Sequence, residues 1–196
     1  MLSINIKKRV INMFKTHIFI FFVLLCTSTI VCAGDFVLTS PTIGSGSFLT
    51  EKQVYNGFGC SGQNQSPALK WSGIPKGTKS FAVTVYDPDA PTGSGWWHWI
   101  IYNIPWNITG LQEGAGRPDG GLLPAEALQG PNDYGTHAFG GACPPKGDKP
   151  HRYIFTVYAL KIEKIEVSPD ASAALIGFMI SSNSLEKASF TAKYGR

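Results

Sequence analysis

"VYDPDAPTGSGWWHWIIYNIP" (residues 85–105) sets two aspartates, three tryptophans and a histidine where strand and turn are expected. The run leading into it, "SFAVTVYD" (80–87), alternates. Phe81, Val83, Val85 and Asp87 share one face of an extended chain, and Ala82, Thr84 and Tyr86 share the other. The run leaving it, "HWIIYNIP" (98–105), reads as a buried strand with Trp96, His98, Ile100 and Tyr102 on one side. Asp87 and Asp89 lie two apart across Pro88, and Pro91 turns the chain. Asp and Pro are ordinary turn residues. Buried carboxylates and imidazoles are nevertheless expensive unless paired, so this junction is also a candidate for chemistry.

Working outward, "DFVLTS" (35–40), a short strand in "ALKWSGIPKGTK" (68–79) and "HRYIFTVYALK" (151–161) add further strands. The 22 glycines and 13 prolines are scattered between short apolar runs, with no repeat, low-complexity tract or long linker. The pattern predicts a mainly β domain. One helix is expected over "SPDASAALIGFMIS" (168–181), with Ser168 as cap, Pro169 in the first turn and Asp170 facing the helix dipole. Its apolar stripe would be Ala171, Ala174, Leu175 and Phe178.

The first 33 residues read differently. Lys7, Lys8, Arg9 and Lys15 precede the apolar "IFIFFVLLCTSTIV" (18–31), which is shorter than the ~20 residues of a membrane-spanning helix. "VCA" (31–33) then supplies a cleavage site, so residues 1–33 are expected to be a secretory signal peptide. Met13 is a second candidate start. An uncleaved anchor and lipidation at Cys32 are the alternatives, and the bulky Val31 disfavours the second. The expected mature domain is 34–196. The leader holds four of the 17 basic residues and none of the 13 acidic ones, so the overall charge of +4 becomes zero in the mature domain. A nucleic-acid-binding surface is therefore not expected. Cys60 and Cys143 remain after cleavage, in a compartment that favours a disulfide. Two buried thiols or a redox pair are the other readings, the latter weakened by the lack of Cys-x-x-Cys.

Asp87, Asp89, His98 and His151 are the polar residues at predicted strand ends. His151, Tyr153 and Phe155 share a face of their strand, directly after the Gly/Pro loop "GGACPPKGDKPH" (140–151). No short metal-ligand spacing and no activated nucleophile such as Gly-x-Ser-x-Gly accompanies them, so neither metal nor cofactor is expected. His137 reads as a loop residue or a lid. Trp71, Trp97 and Trp106 read as core or rim packing.

"DPDAP" followed by "WWHW" and then "CPPKG…HRY" resembles the phosphatidylethanolamine-binding protein (PEBP) family, more narrowly its bacterial Raf-kinase-inhibitor-like branch, the YbhB/YbcL type. The likeness covers the whole mature chain. It implies a large central antiparallel sheet packed on a smaller sheet, a C-terminal helix, and an anion pocket at one end. Asp87 and Asp89 match the two motif aspartates. Trp96 and His98 match the Trp and second His of a Trp-His-His motif whose middle residue is here Trp97. Cys143 and Pro144 fall on a Gly-Pro-Pro loop, with Cys in the Gly position, and His151 and Tyr153 match His-Arg-Tyr. The resemblance thus implies a ligand-binding set of Asp87, Asp89, Trp96, His98, Cys143, Pro144, His151 and Tyr153, with a Cys60–Cys143 bridge bracing the pocket mouth.

The function implied is a non-enzymatic, periplasmic or secreted binder of phosphate, phosphoryl head groups or similar small anions. Two imidazolium and two carboxylate groups would make a neutral frame that still presents N–H donors. Without a matched Lys or Arg, affinities of about −4 to −8 kcal/mol are expected. The competing expectations are a hydrolase or lyase using a His/Asp acid–base pair, and a regulator of an extracytoplasmic or host protein partner. A homodimer is a further expectation.

Overall fold

The computed structural model describes residues 34–168 and 170–196. The expected signal peptide lies outside the described residues, as does Pro169.

Of the runs legible as strands in the sequence, 80–87, 98–105 and 151–161 become the middle of one sheet, and those in 35–40 and 68–79 part of a smaller one. β1 (Val37–Thr39), β4 (Leu69–Ser72) and β7 (Gly110–Leu111) form a small sheet in the order β1-β4-β7. β5 (Ser80–Asp87), β6 (Trp96–Pro105), β8 (Leu128–Gln129), β9 (His151–Leu160) and β10 (Ser184–Tyr194) form a five-stranded sheet in the order β10-β9-β5-β6-β8. Every pair in it is antiparallel. β2 (Asn56–Gly57) and β3 (Cys60–Ser61) make a separate hairpin, and α1 (Ala173–Asn183) precedes β10 directly.

The central strands are apolar on both faces because both faces are covered. On one side Phe81, Val83, Val85, Trp99, Ile101, Phe155 and Val157 meet Phe36, Leu38, Leu69 and Trp71 from the small-sheet side. On the other, Ala82, Ile100, Tyr102 and Leu160 meet Ala173, Ile176 and Ile180 of α1. Phe81, Trp99 and Phe155 have no exposed area. Each such burial contributes on the order of 1.5–3 kcal/mol. The fold is the mainly β arrangement expected, with its larger sheet, smaller sheet and C-terminal helix.

Three details depart from the sequence reading. The helix starts at Ala173, where the Ser172 hydroxyl caps it by accepting from Leu175 N at 3.2 Å. Ser168 belongs to an earlier turn, its hydroxyl accepting from Asp170 N at 3.3 Å. The later cap changes which side faces in. Ala173, Ile176 and Ile180 are buried, at the i, i+3, i+7 spacing of one helix face. Ala174, Leu175 and Phe178 are exposed, and of the expected stripe only Ala171, ahead of the helix, is buried.

The second departure is β6. Val85 pairs with Trp99 and Tyr86 with Trp97, which leaves His98 as an extra, unpaired residue in the strand. A second irregularity falls between Ile101 and Ile104, where Asn103 adopts φ 60° and its side-chain oxygen accepts from Ile165 N at 2.7 Å. A bulge re-aims the side chains beyond it. Ile100 and Tyr102 therefore pack toward α1, while Trp96 and His98 face the opposite end cavity, so the four do not share one side. The third is Trp106, which is not core but 65% exposed, lining a surface groove with Asn103 and Pro105.

Candidate functional site

The C-terminal end of β5 and the N-terminal ends of β6 and β9 lie side by side, so Asp87, Trp96, His98, His151 and Tyr153 converge although up to 66 positions separate them in the chain. They line a cavity of about 250 Å³. The loop carrying Tyr134, Cys143, Pro144 and Pro145 forms one wall, the turn residues Ala90, Pro91 and Thr92 another, and Phe58 from the β2–β3 hairpin closes the rim.

Asp87 is fixed from two directions. One carboxylate oxygen accepts from Asp89 N at 2.8 Å, in the turn the Asp-Pro-Asp sequence makes. The other lies 2.7 Å from Nδ1 of His151, both side chains being buried. A carboxylate accepts only, so the Nδ1 hydrogen of His151 is donated to Asp87. Nε2 of His151 lies 3.5 Å from the carboxylate of Asp148, which lines an adjoining groove.

His98 is held by the bulge and by the loop opposite. Its Nδ1 sits 2.7 Å from the Gly140 carbonyl, and Gly140 N donates to the His98 carbonyl at 2.8 Å. A Cβ at Gly140 would collide with the Tyr134 ring, so glycine is what lets that ring lie against its own loop's backbone beside His98. Burial pushes the His98 pKa below its ordinary value, against the opposing pulls of the Gly140 carbonyl and Asp87. Burial thus favours the neutral imidazole at His98, against the doubly imidazolium frame expected from sequence.

Tyr134 is the centre of an aromatic cluster. Its ring stacks on Tyr55 at a centroid distance of 3.9 Å and meets Phe58, Trp96 and His98 edge-on at 5.4, 5.2 and 5.7 Å. Tyr153 meets His98 at 5.0 Å. Burial raises the pKa of both tyrosines, so their hydroxyls keep their protons. Three buried polar atoms on the cavity-lining side chains have no hydrogen-bond partner in the protein: Trp96 Nε1, His98 Nε2 and the Tyr153 hydroxyl.

The rim is tied down covalently and by charge. Cys60 and Cys143 form a disulfide spanning 83 positions, with Cα atoms 6.0 Å apart. Next to it the Arg196 guanidinium donates to the Pro144 carbonyl at 2.6 Å and to the Gly59 carbonyl at 2.7 Å. Phe58, between two glycines at the hairpin tip, holds the left-handed φ of 54° and is 72% exposed.

Of the eight residues singled out from sequence, seven line this cavity. Asp89 does not. It lies in an adjoining groove with Arg152, Lys149 and Lys193, and its carboxylate accepts two hydrogen bonds from the Arg152 guanidinium, at 2.7 and 2.9 Å. That pairing holds the Asp89 carboxyl down at about 2. The two aspartates diverge because Pro88 opens a turn rather than continuing the strand. His137 also stands apart, exposed, with Nδ1 3.0 Å from the Gln129 carbonyl. Phe58, Tyr134 and Arg196 were not legible as site residues. Tyr134 sits in the same "NDYGTHAFGG" loop as His137, and its aromatic ring was the signal to weigh there. Among the described residues no cluster of three or more His, Cys, Asp or Glu side chains is arranged to hold a metal ion, and no helix is long and apolar enough to cross a membrane.

Comparison with known proteins agrees with this fold. Residues 39–195 match the family model of phosphatidylethanolamine-binding proteins. YbcL of Escherichia coli K12 is 59% identical over 162 residues, covering 83% of this chain and 88% of YbcL. YbhB of the same organism is 49% identical over 159 residues, covering 80% of this chain and 98% of YbhB. A crystal structure of E. coli YbcL, described as a new member of the mammalian PEBP family, superposes with a TM-score of 0.81 at 58% identity, covering 82% of this chain and 98% of that one.

Proposed function

The chain belongs to the phosphatidylethanolamine-binding protein family, and from that premise we propose that it is an exported, non-enzymatic protein that binds small phosphorylated anions in the end cavity. The observation that carries the reading is the trio of buried, unpartnered polar atoms on Trp96, His98 and Tyr153. Buried polar groups are almost always paired, and unpaired ones leave about 1–3 kcal/mol each for a ligand to recover. Trp96 Nε1–H and the Tyr153 hydroxyl are donors suited to anionic oxygens, and the His151 ring lies beside them with its Nδ1 committed to Asp87.

Chemistry on the ligand is not part of the reading. Cys143 is consumed in the disulfide and the Thr92 hydroxyl donates to the Gly95 carbonyl, so neither is paired with a base as a nucleophile would be. No lysine or arginine lines the cavity, and Arg152 and Arg196 are engaged with Asp89 and with rim carbonyls. Binding is therefore moderate, micromolar to millimolar, or about −4 to −8 kcal/mol. Export rests on the leader reading and is supported by the disulfide, which suits an oxidising compartment.

The test is a calorimetric titration of the oxidised 34–196 domain with inorganic phosphate and phosphoethanolamine. Saturable heat that disappears in His98→Ala/His151→Ala is the expected result. A wild-type protein that takes up neither compound at millimolar concentration overturns the proposal.

A further inference from the structure

The fold dictates which hydrogen-bonding role each ring nitrogen of His98 plays. The Gly140 carbonyl can only accept, so the neutral ring carries its hydrogen on Nδ1. Nε2 is then a bare lone pair, buried, on a cavity-lining residue that is 2% exposed, and without a partner in the protein. The titratable and charged groups around the ring are Asp87 from β5, His151 and Tyr153 from β9, and Asp133 and Tyr134 from the loop opposite. None is a lysine or arginine, and burial keeps the ring neutral.

A fully deprotonated oxyanion is mismatched to this wall. It would set one of its own lone pairs against Nε2, and a second negative charge would sit near the buried Asp87 carboxylate. We propose that the cavity selects a phosphate monoester or phosphate in its singly charged, P–O–H form, the hydroxyl donating to Nε2 of His98 while Trp96 Nε1 and the Tyr153 hydroxyl donate to the remaining oxygens. The inference rests on the anion-binding reading above and narrows it. It excludes sulfate esters, which carry no such hydrogen, and phosphodiesters, which have none either. An intact phospholipid head group is a diester. The ligand class is therefore the soluble or protein-borne monoester, not the lipid.

The experiment uses the wild-type oxidised domain, so no variant need fold. Phenyl phosphate and phenyl sulfate are titrated calorimetrically near pH ~5.5, below the second phosphate ionisation at about 6, where both are monoanions of similar shape. Phosphoethanolamine is compared with glycerophosphoethanolamine in the same way. Phenyl phosphate should bind at least tenfold more tightly than phenyl sulfate, the monoester at least tenfold more tightly than the diester, and phenyl phosphate should weaken about tenfold per pH unit above its own ionisation. Equal affinity for phosphate and sulfate esters, or for monoester and diester, overturns the inference while the anion reading stands. A pH profile that stays flat overturns it also. Binding of none of the four removes the anion reading itself, and this inference with it.

Discussion

The Asp87 carboxylate accepts from Nδ1 of His151 at 2.7 Å, and neither side chain has more than 5% of its area exposed. The pair couples the turn after β5 to the start of β9, so each residue's place in the cavity depends on the other. Removing one partner of a buried pair leaves the second without compensation, at about 3–5 kcal/mol. Asp87→Ala should lower the urea-derived unfolding free energy by about that much, whereas Asp87→Asn, which retains an oxygen for Asp89 N or His151, should cost clearly less. An alanine variant within about 1 kcal/mol of wild type would show that the pair is not structural.

The Cys60–Cys143 disulfide joins the Phe58 hairpin to the Pro144 loop, closing a loop of 83 positions. Loss of a native disulfide typically removes 2–5 kcal/mol, long loops lying toward the upper end. Cys60→Ser/Cys143→Ser should fall in that range. Its sharper signature is local: protease cleavage within residues 56–61 should speed up well before global unfolding, because Arg196 and the Phe58–Tyr134 contact then hold the hairpin to the loop without a covalent link. Unchanged cleavage would mean that these contacts are a sufficient clamp.

These two relationships differ in how far the sequence announced them. Strands β5 and β9 were legible because their apolar faces alternate without interruption, and the fold class followed from them and from the motif resemblance. β10 was not read as a strand. Its buried face is Ala188, Phe190 and Ala192, separated by Ser189 and Thr191, which gives too little contrast for a period-2 signal. The helix was found, but Ser168 and Ser172 are equally good caps locally, and only packing of Ile176 and Ile180 against β6 and β9 chooses between them. The cavity residues were identified by type, yet their grouping depends on a bulge at His98 that no local pattern marks. Asp89 was grouped with Asp87 by spacing and by the motif resemblance, and the turn at Pro88 sends it to Arg152 instead.

Asp89 and Arg152 meet on the surface, with 31% and 54% of their side-chain areas exposed. Exposed pairs contribute about 0–1 kcal/mol even with two hydrogen bonds. Arg152→Ala should therefore shift the urea midpoint slightly and leave the affinity for inorganic phosphate within about twofold, since neither residue lines the end cavity. The sign with pH is that of a depressed carboxyl. The pair's contribution is complete above the ordinary aspartate value of 3.8 and disappears as pH falls through about 2. A tenfold or greater loss of phosphate affinity in Arg152→Ala would place the adjoining groove in the binding site after all.

His98 makes a prediction of the same sign at a more accessible pH. Burial depresses its folded pKa below the ordinary 6.5, so on acidification the unfolded chain takes up a proton at this ring before the folded chain does. The stability His98 contributes as a neutral ring is thus fully present above pH 6.5 and declines as pH falls from there toward the depressed folded value. The limiting slope is about 1.4 kcal/mol per pH unit for one proton. His98→Asn keeps an amide hydrogen for the Gly140 carbonyl and removes the titration. Unfolding free energies of wild type and variant, measured by urea between about pH 7.5 and pH 5, should diverge in slope by up to that amount, the wild type falling more steeply. Other ionisable groups contribute to both curves, so the difference between slopes isolates this ring. Parallel curves would mean that the folded protein accepts a proton on His98 as readily as the unfolded chain, and the cavity would then present Nε2 as a donor rather than as the acceptor its tautomer implies.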